Sequence, residues 1–598
     1  MTRSAFPTTW GANLLADGRA RFRLWAPDEP TLCLRTPEGD IAMEPAGGGW
    51  FEIVTDKVPV GGAYAFVLPD GFAVPDPAAR AQAGSVHGPS KLVDPAAYAW
   101  RTDWTGRPWE EAVIYELHVG TFTRGGTFRS AMEKIPHLAS LGVTAIEVMP
   151  VAQFGGRRGW GYDGVLLYCP HECYGTPEDF KAFVDEAHAH GLMVLLDVVY
   201  NHFGPDGNYL GKYAGAFFHP ERHTPWGAAI AFEEPAVRDY FVENPLYWLT
   251  EFNLDGLRFD AIDHIDDQSD AHILEDMARR IRETFDRPIH LCTEDERNIT
   301  RLHPYENGRP KLFTAEWNDD YHNVIHPIAT GDTEGYYADF VTDRWKKLAR
   351  SLAEGFVFQG EPSKMHGNAP RGVPSAGQPL TAFVIFNQNH DQVGNRAFGE
   401  RLLDLSEKEV VVAFTAVLLL TPMVPLLFMG EEWGETKPFC FFTDFDGELA
   451  AAVRKGRRNE FSKFDAFTDP DTREDIPDPN ELSTFEASRI DWYAQDEGEG
   501  AAWLALTRHL LAVRQSEIVP RLKGIGPHAG EVVSVDTGLV EVAWRLGDGS
   551  RLAMAINLTH EDAGALPEGD VIAAVSRGRL ATPASREPHC VIVTLVRA

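Results

Sequence analysis

A chain of 598 residues is longer than one ordinary hydrophobic core can organise, so several domains are expected. Its 55 Lys and Arg against 88 Asp and Glu leave a net charge of −33, which argues against nucleic acid or an anionic membrane as partner and is indifferent to a neutral small-molecule substrate such as a sugar. The 44% hydrophobic content is that of a soluble globular protein.

Met1 to Trp10 contains no basic region followed by an apolar core, so no secretion signal is expected and a cytoplasmic setting is inferred. Residues 1–105 carry short β-like runs, Ala20 to Trp25 and Gly49 to Val54, between Gly, Pro and Asp turns. They predict a small β-sandwich of carbohydrate-binding or immunoglobulin-like type. The segment Pro75-Asp76-Pro77 and a polar stretch to Pro95 follow it.

From residue 106 to about 520 strands alternate with helices. The predicted strands are Val113 to Val119, Ala145 to Pro150, Met193 to Tyr200, Gly256 to Asp260, Ile289 to Glu294, Lys311 to Trp317, Ala382 to Asn387 and Val424 to Met429. Amphipathic stretches such as Pro177 to His190 and Ala271 to Phe285 lie between them, so a closed (β/α)8 barrel of the α/β class is predicted. The apolar run Val410 to Met429 raises the membrane question, but Pro422 and Pro425 divide it into a helix and a strand. No membrane association is expected. The segment 430–492 is too long for an ordinary loop and reads as an insertion on the site face. A helix over Ala501 to Gln515 would close the barrel. Strand-like runs Gly530 to Ser534, Leu539 to Arg545 and Val591 to Val596 then predict a C-terminal all-β domain, a β-sandwich, over 521–598. The six cysteines are scattered, and free thiols in a reducing compartment are the expectation.

Chemistry gathers at the ends of the barrel strands. Along Gly256 to Asp260 side chains alternate, so Arg258 and Asp260 share a face, and a guanidinium beside a carboxylate holds that acid ionised and aimed. Glu294 ends the apolar run Ile289 to Thr293, where desolvation would raise its pKa and suit it to general acid/base work; a helix-capping role is the alternative. Asp391, beside His390 and just past a strand, could bind sugar hydroxyls and oppose developing positive charge. Asp197 could tie neighbouring strand ends together, and His202 could reach a sugar hydroxyl; no second ligand near His202 suggests a metal. The turn Gly159 to Gly164 places Trp160 and Tyr162 on a flexible backbone, where a ring face could pack against sugar C–H groups; packing in the core is the default for both, though the glycines on either side of Trp160 favour a surface.

In order and spacing, the segments Asp197 to His202, Gly256 to Asp260, the strand ending in Glu294, and Asn389-His390-Asp391 resemble the α-amylase superfamily of retaining glycoside hydrolases. That resemblance implies Asp260 as nucleophile, Glu294 as acid/base and Asp391 as transition-state stabiliser, with Arg258, His202, His390 and Tyr162 at the sugar being cleaved. Retention implies the two main carboxyl groups about 5 to 5.5 Å apart. Within the superfamily, Thr293 to Asn298, Ala315 to His322, Glu448 to Phe461 with its Arg454-Lys455-Gly456-Arg457-Arg458, and Pro75 to Gln82 look most like the maltooligosyltrehalose trehalohydrolase family. The implied reaction is hydrolysis of the α-1,4 bond between a maltooligosyl chain and a terminal trehalose. On that likeness Asp197, Asp263, Trp317, Asn318, Asp319, Asp320, Gln392 and Asn395 join the substrate-binding set, Asp319 and Asp320 being expected on the trehalose side. No cofactor or metal is expected, since no oxygen-ligand loop of recognisable spacing is present. A branching or debranching enzyme of the same superfamily is the rival reading. A glucan-binding protein without activity ranks below it, because a binding module has no use for an acid/base.

Overall fold

In the computed structural model, residues 5–306, 308–463 and 469–598 are described. Residues 1–4 of the leading segment and 464–468 of the expected insertion lie outside them. The N-terminal region is built from two antiparallel sheets, one ordering Gly11–Leu14, Ala20–Trp25, Trp50–Thr55 and Glu44–Gly47, the other Gly39–Ala42, Cys33–Thr36, Ala63–Val67 and Ala73–Val74. The alternation in Ala20–Trp25 turns Ala20, Phe22 and Leu24 inward, and the Phe22 ring meets Tyr64 of the second sheet edge-on at 4.8 Å.

The Pro75 to Gln82 segment fastens this region to the barrel. Asp76 accepts from the Tyr64 hydroxyl at 2.7 Å and from the Ala78 amide at 2.9 Å. Arg80, buried, pairs with Glu251 at 3.1 Å and donates to the Ala12 and Phe6 carbonyls. A motif that resembles a family signature thus has a structural use at a domain junction.

Eight parallel strands close into a barrel in chain order: β1 (Ile114–Leu117), β2 (Ala145–Val148), β3 (Met193–Val198), β4 (Gly256–Phe259), β5 (His290–Glu294), β6 (Ala315–Trp317), β7 (Phe383–Phe386) and β8 (Val424–Phe428). Each falls within a predicted strand. β6 is shorter than expected because Lys311 is drawn into a local hairpin, its amide donating to the Pro304 carbonyl. Gly256 is required at the start of β4: a Cβ there would stand 2.1 Å from the His290 carbonyl oxygen of β5.

The helices that matter below are α1 (Pro177–Ala189), α2 (Pro235–Glu251), α3 (Ile273–Thr284), α4 (Asp319–Ala329), α5 (Arg344–Glu354), α6 (His390–Gly394), α7 (Lys408–Leu420), α8 (Gly447–Glu460) and α9 (Gly498–Val513). α1 begins with a capping box, Thr176 and Asp179 each accepting from the other's amide, and Pro177 occupies its first turn. The apolar run 410–429 divides into α7 and β8, and no described helix is long and apolar enough to cross a membrane. All six cysteines are unpaired.

The C-terminal region corrects one expectation. Its strands form a single six-stranded antiparallel sheet, ordered Gly530–Asp536, Leu539–Arg545, Arg551–Asn557, Cys590–Val596, Asp570–Ser576 and Arg579–Leu580, rather than the two stacked sheets of a sandwich. Helices α5 and α7 pack on it and supply an apolar layer, with the Trp544 indole donating to the Leu352 carbonyl of α5 at 2.8 Å. A sheet so covered has no need of a second one.

Candidate active site

The carboxyl ends of β3, β4, β5 and β7 bring the predicted acids to one place, and Arg258 is its centre. Fully buried, its guanidinium pairs with Asp197 at 2.6 Å and Asp260 at 2.9 Å through one nitrogen and with Glu294 at 2.7 Å through another. It lies 4.2 Å over the Trp317 ring. One planar cation therefore sets the mutual position of three carboxyl groups.

Asp260 is held from both oxygens, Arg258 donating to one and the Asn201 amide donating to the other at 3.0 Å. The residue after it, Ala261, is left-handed at φ 39°, a conformation disfavoured for a side chain, and its amide donates to Glu294 at 2.9 Å. The strained turn gives the candidate acid/base a donor that a continuing strand would have spent on its neighbour. Glu294 is not a helix cap.

Environment separates the acids. Burial pushes the Glu294 carboxyl well above the usual range; Arg258 opposes, while Asp260, Asp319 and Asp391 add to the rise. Asp260, Asp319 and Asp391 thus all act on the Glu294 carboxyl group. Burial raises Asp197 to about 6 against the pull of Arg258, and raises Asp391, where His390 and Arg258 oppose. Burial, followed by Asp391, lifts Asp319 to about 7.

The remaining predicted residues divide. Tyr162 donates its hydroxyl to Asp197 at 2.6 Å and stacks on His390 with ring centres 5.0 Å apart. Its turn needs Gly161, where φ is 100° and a Cβ would stand 1.9 Å from the Pro150 carbonyl. His202 is buried beneath the half-exposed indole of Trp226, stacked at 4.5 Å. Gln392 donates to Asp319 at 3.1 Å, and Asn395 donates to Asp391 at 2.7 Å. Asp263 lies on the turn Ile262–His264 with His264 at 3.4 Å as its ion partner.

Three expectations are corrected, those for Trp317, Asn318 and Asp320. Trp317 is buried under Arg258 and offers no free face to a sugar. Asn318 is buried and donates backwards to the Gly355 carbonyl at 2.8 Å. Trp160, by contrast, takes the core position that is its default: it packs against Phe439 at 5.3 Å and donates to the Cys440 carbonyl, the insertion having covered it. Asp320 is fully buried, accepting from Asn298 at 2.7 Å and from the Val357 and Phe358 amides at 2.8 and 2.9 Å while pairing with Arg371 at 3.0 Å. None of its oxygens is left for a substrate. Asp320→Ala should therefore cost about 3 kcal/mol of stability, by stranding a buried guanidinium and two amides, and lower the melting temperature measured by circular dichroism. An unchanged melting curve would contradict this role.

Sequence reasoning missed Asn201, although it stands inside the Asp197 to His202 segment, and Trp226, which lies on a hairpin of Phe218–Thr224 and Gly227–Ile230. It also missed Glu116 of β1, whose carboxyl group receives the Nδ1 of His390. Among the described residues no group of three or more His, Cys, Asp or Glu side chains is arranged to hold a metal ion.

A closed parallel barrel with this acid cluster at its carboxyl rim defines an α-amylase-type glycoside hydrolase. Residues 66–215 match the family model described as alpha amylase, catalytic domain, and residues 527–592 match a domain of unknown function, DUF3459. The chain is 41% identical to the malto-oligosyltrehalose trehalohydrolase of Deinococcus radiodurans over 92% of each chain, and 41% identical to that of Saccharolobus solfataricus over 82% of this chain and 84% of the other. A crystal structure described as a putative alpha amylase from Salmonella typhimurium is 54% identical, covering 99% of this chain and all of that one with a TM-score of 0.95. The chain belongs to the malto-oligosyltrehalose trehalohydrolase family.

Proposed function

We propose that this chain hydrolyses the α-1,4 bond joining a maltooligosyl chain to a terminal trehalose, and that it does so with retention. The Asp260 carboxylate attacks the anomeric carbon while Glu294, protonated, gives its proton to the departing glycosidic oxygen, and trehalose leaves. Glu294, now a base, takes a proton from water. That water displaces Asp260 and frees the maltooligosaccharide in its original anomeric form. Asp391 opposes the positive charge that develops on the sugar ring.

The observation that carries this reading is the single guanidinium of Arg258, which reaches Asp260 and Glu294 together while burial favours the neutral form of one of them. The names of the relatives support trehalose as the released unit. The −33 charge supports a neutral glucan rather than a nucleic acid as partner, and six unpaired cysteines fit a reducing, cytoplasmic setting. Digestion of maltooligosyl trehalose and maltopentaose side by side, with products resolved by chromatography, tests it. Trehalose should be released rapidly and maltopentaose consumed slowly; new branch points, or equal rates, would favour a branching or general amylolytic enzyme.

Asp319 is the acid suited to recognising trehalose, since it opens α4, faces Asp391 and Glu294, and makes its described side-chain hydrogen bond with Gln392. Asp319→Ala should lower kcat/KM on maltooligosyl trehalose by about 100-fold, the scale of an unmatched polar contact at a substrate, and affect maltopentaose much less. Equal losses on both would remove the specificity role.

A further inference from the structure

The first barrel strand makes a buried ion pair with the residue that opens α6, just past β7. Glu116 of β1 accepts from His390 Nδ1 at 2.5 Å and its other oxygen accepts from the His390 backbone amide at 3.1 Å. Both side chains are buried, at 1% and 3% exposure, so this contact is neither screened nor replaced by water. The backbone amide fixes the Glu116 carboxyl group in place, and the imidazole cannot turn without losing its Nδ1 bond to it. Its faces are fixed too: Tyr162 stacks on it at 5.0 Å and Trp160 meets it edge-on at 5.6 Å. Nε2 has no hydrogen-bond partner among the described residues, which leaves it for substrate.

We propose that Glu116 is a positioning residue that keeps His390 doubly protonated, so that Nε2–H is offered to the substrate as a cationic donor. This rests on the reading of the acid cluster as a glycosidase site, and extends it to a side chain that touches no sugar. The charges around His390 have to be weighed together. Glu116 on β1 and Asp391 beside it favour the cation, Arg258 on β4 opposes it, and burial opposes it most; the result is a His390 pKa raised above the ordinary imidazole value. His118, close by, is driven down to about 3 by burial and stays neutral. The phenol of Tyr162 is pushed well up by burial and also stays neutral.

Glu147 completes the arrangement. It stands directly beside Glu116 in the parallel register of β1 and β2, is 1% exposed, and neither of its oxygens has a hydrogen-bond partner among the described residues. Burial first, then Glu116 and Asp197, push its carboxyl well above the usual range. The two acids at one level of the barrel are thus unlike: one is tied to a histidine, and burial favours the neutral form of its neighbour.

The experiment is a histidine titration joined to a double-mutant cycle. In protein labelled with 15N-histidine, with the His390 signals assigned by their loss in His390→Asn, both ring nitrogens should remain protonated at pH 7.5. In Glu116→Gln, which keeps the shape and removes the charge, the titration midpoint should fall by at least one pH unit. In turnover of maltooligosyl trehalose, Glu116→Gln should lower kcat at least 10-fold with KM changed less. In a His390→Asn background the same change should cost under threefold. A His390 already neutral at pH 7.5 in the parent would overturn the proposal even if the variant failed to fold, and so would an equal kcat loss in both backgrounds. Failure of the parent to release trehalose would instead count against the function proposed above, and would leave the titration as a test of the ion pair alone.

Discussion

Asp260→Asn and Glu294→Gln should each lower kcat on maltooligosyl trehalose by about 10,000-fold or more, the scale seen when a member of a catalytic unit is removed. The two losses should differ in kind. An amide at position 260 cannot carry the glycosyl group, so no substrate rescues it. A Gln at position 294 cannot donate a proton, but a substrate whose leaving group needs none, such as a maltooligosyl fluoride, should recover most of the rate of the first step. Some strain is expected in Asp260→Asn, because Asn201 and Arg258 each donate to a different oxygen of Asp260 and one of those donors would face the new amide nitrogen. Circular dichroism therefore has to accompany the kinetics. Activity within tenfold of the parent, in a folded Asp260→Asn protein, would remove Asp260 from the role of nucleophile.

Arg258→Met should be the most damaging change to the site as a whole. It removes the cation that Asp197, Asp260 and Glu294 share and leaves buried carboxyl groups facing one another, at a cost of about 3 to 5 kcal/mol near neutral pH. The sign of its pH dependence follows from Asp197. With Arg258 present, burial already lifts Asp197 to about 6, and Arg258 is the largest influence holding it down, so its removal lifts it further. An acid whose pKa is higher in the folded protein than in the unfolded chain binds more protons when folded, so its contribution to stability falls as pH rises through the folded value. The gap in melting temperature between parent and Arg258→Met should be widest near pH 8 and shrink toward pH 5, where Asp197 is neutralised in both proteins. A gap of the same size at both pH values would mean that packing on Trp317, and not charge, is what Arg258 contributes.

Both experiments concern residues that a strand's period of two already marks. Arg258 and Asp260 share a face because they are two apart, and Glu294 was recognisable as an acid at the end of an apolar run. What the period does not reveal is whether a marked residue reaches the open site. Asp319 and Asp320 are adjacent acids in the first turn of α4, and nothing local distinguishes them. Arg371 and the amides of Val357 and Phe358 do, because they take Asp320 inward and leave Asp319 at the cluster. Trp160 shows the same limit: its glycine neighbours favour exposure against the default of core packing, and only Phe439 and Cys440 of the insertion, which cover the ring, decide between the two.

The sequence by itself determined the order of strands and helices, the closure of the barrel and the acids at its rim, because apolar periodicity and strand-end polarity are properties of neighbouring residues. Tertiary structure alone decided which partners each acid has. Glu116 and His390 are 274 residues apart, and Asp197 and Glu294 meet through a guanidinium on a third strand. Charge, burial and proton affinity at such a site depend on atoms a few ångströms away in space, and closure of the barrel is what makes those atoms neighbours.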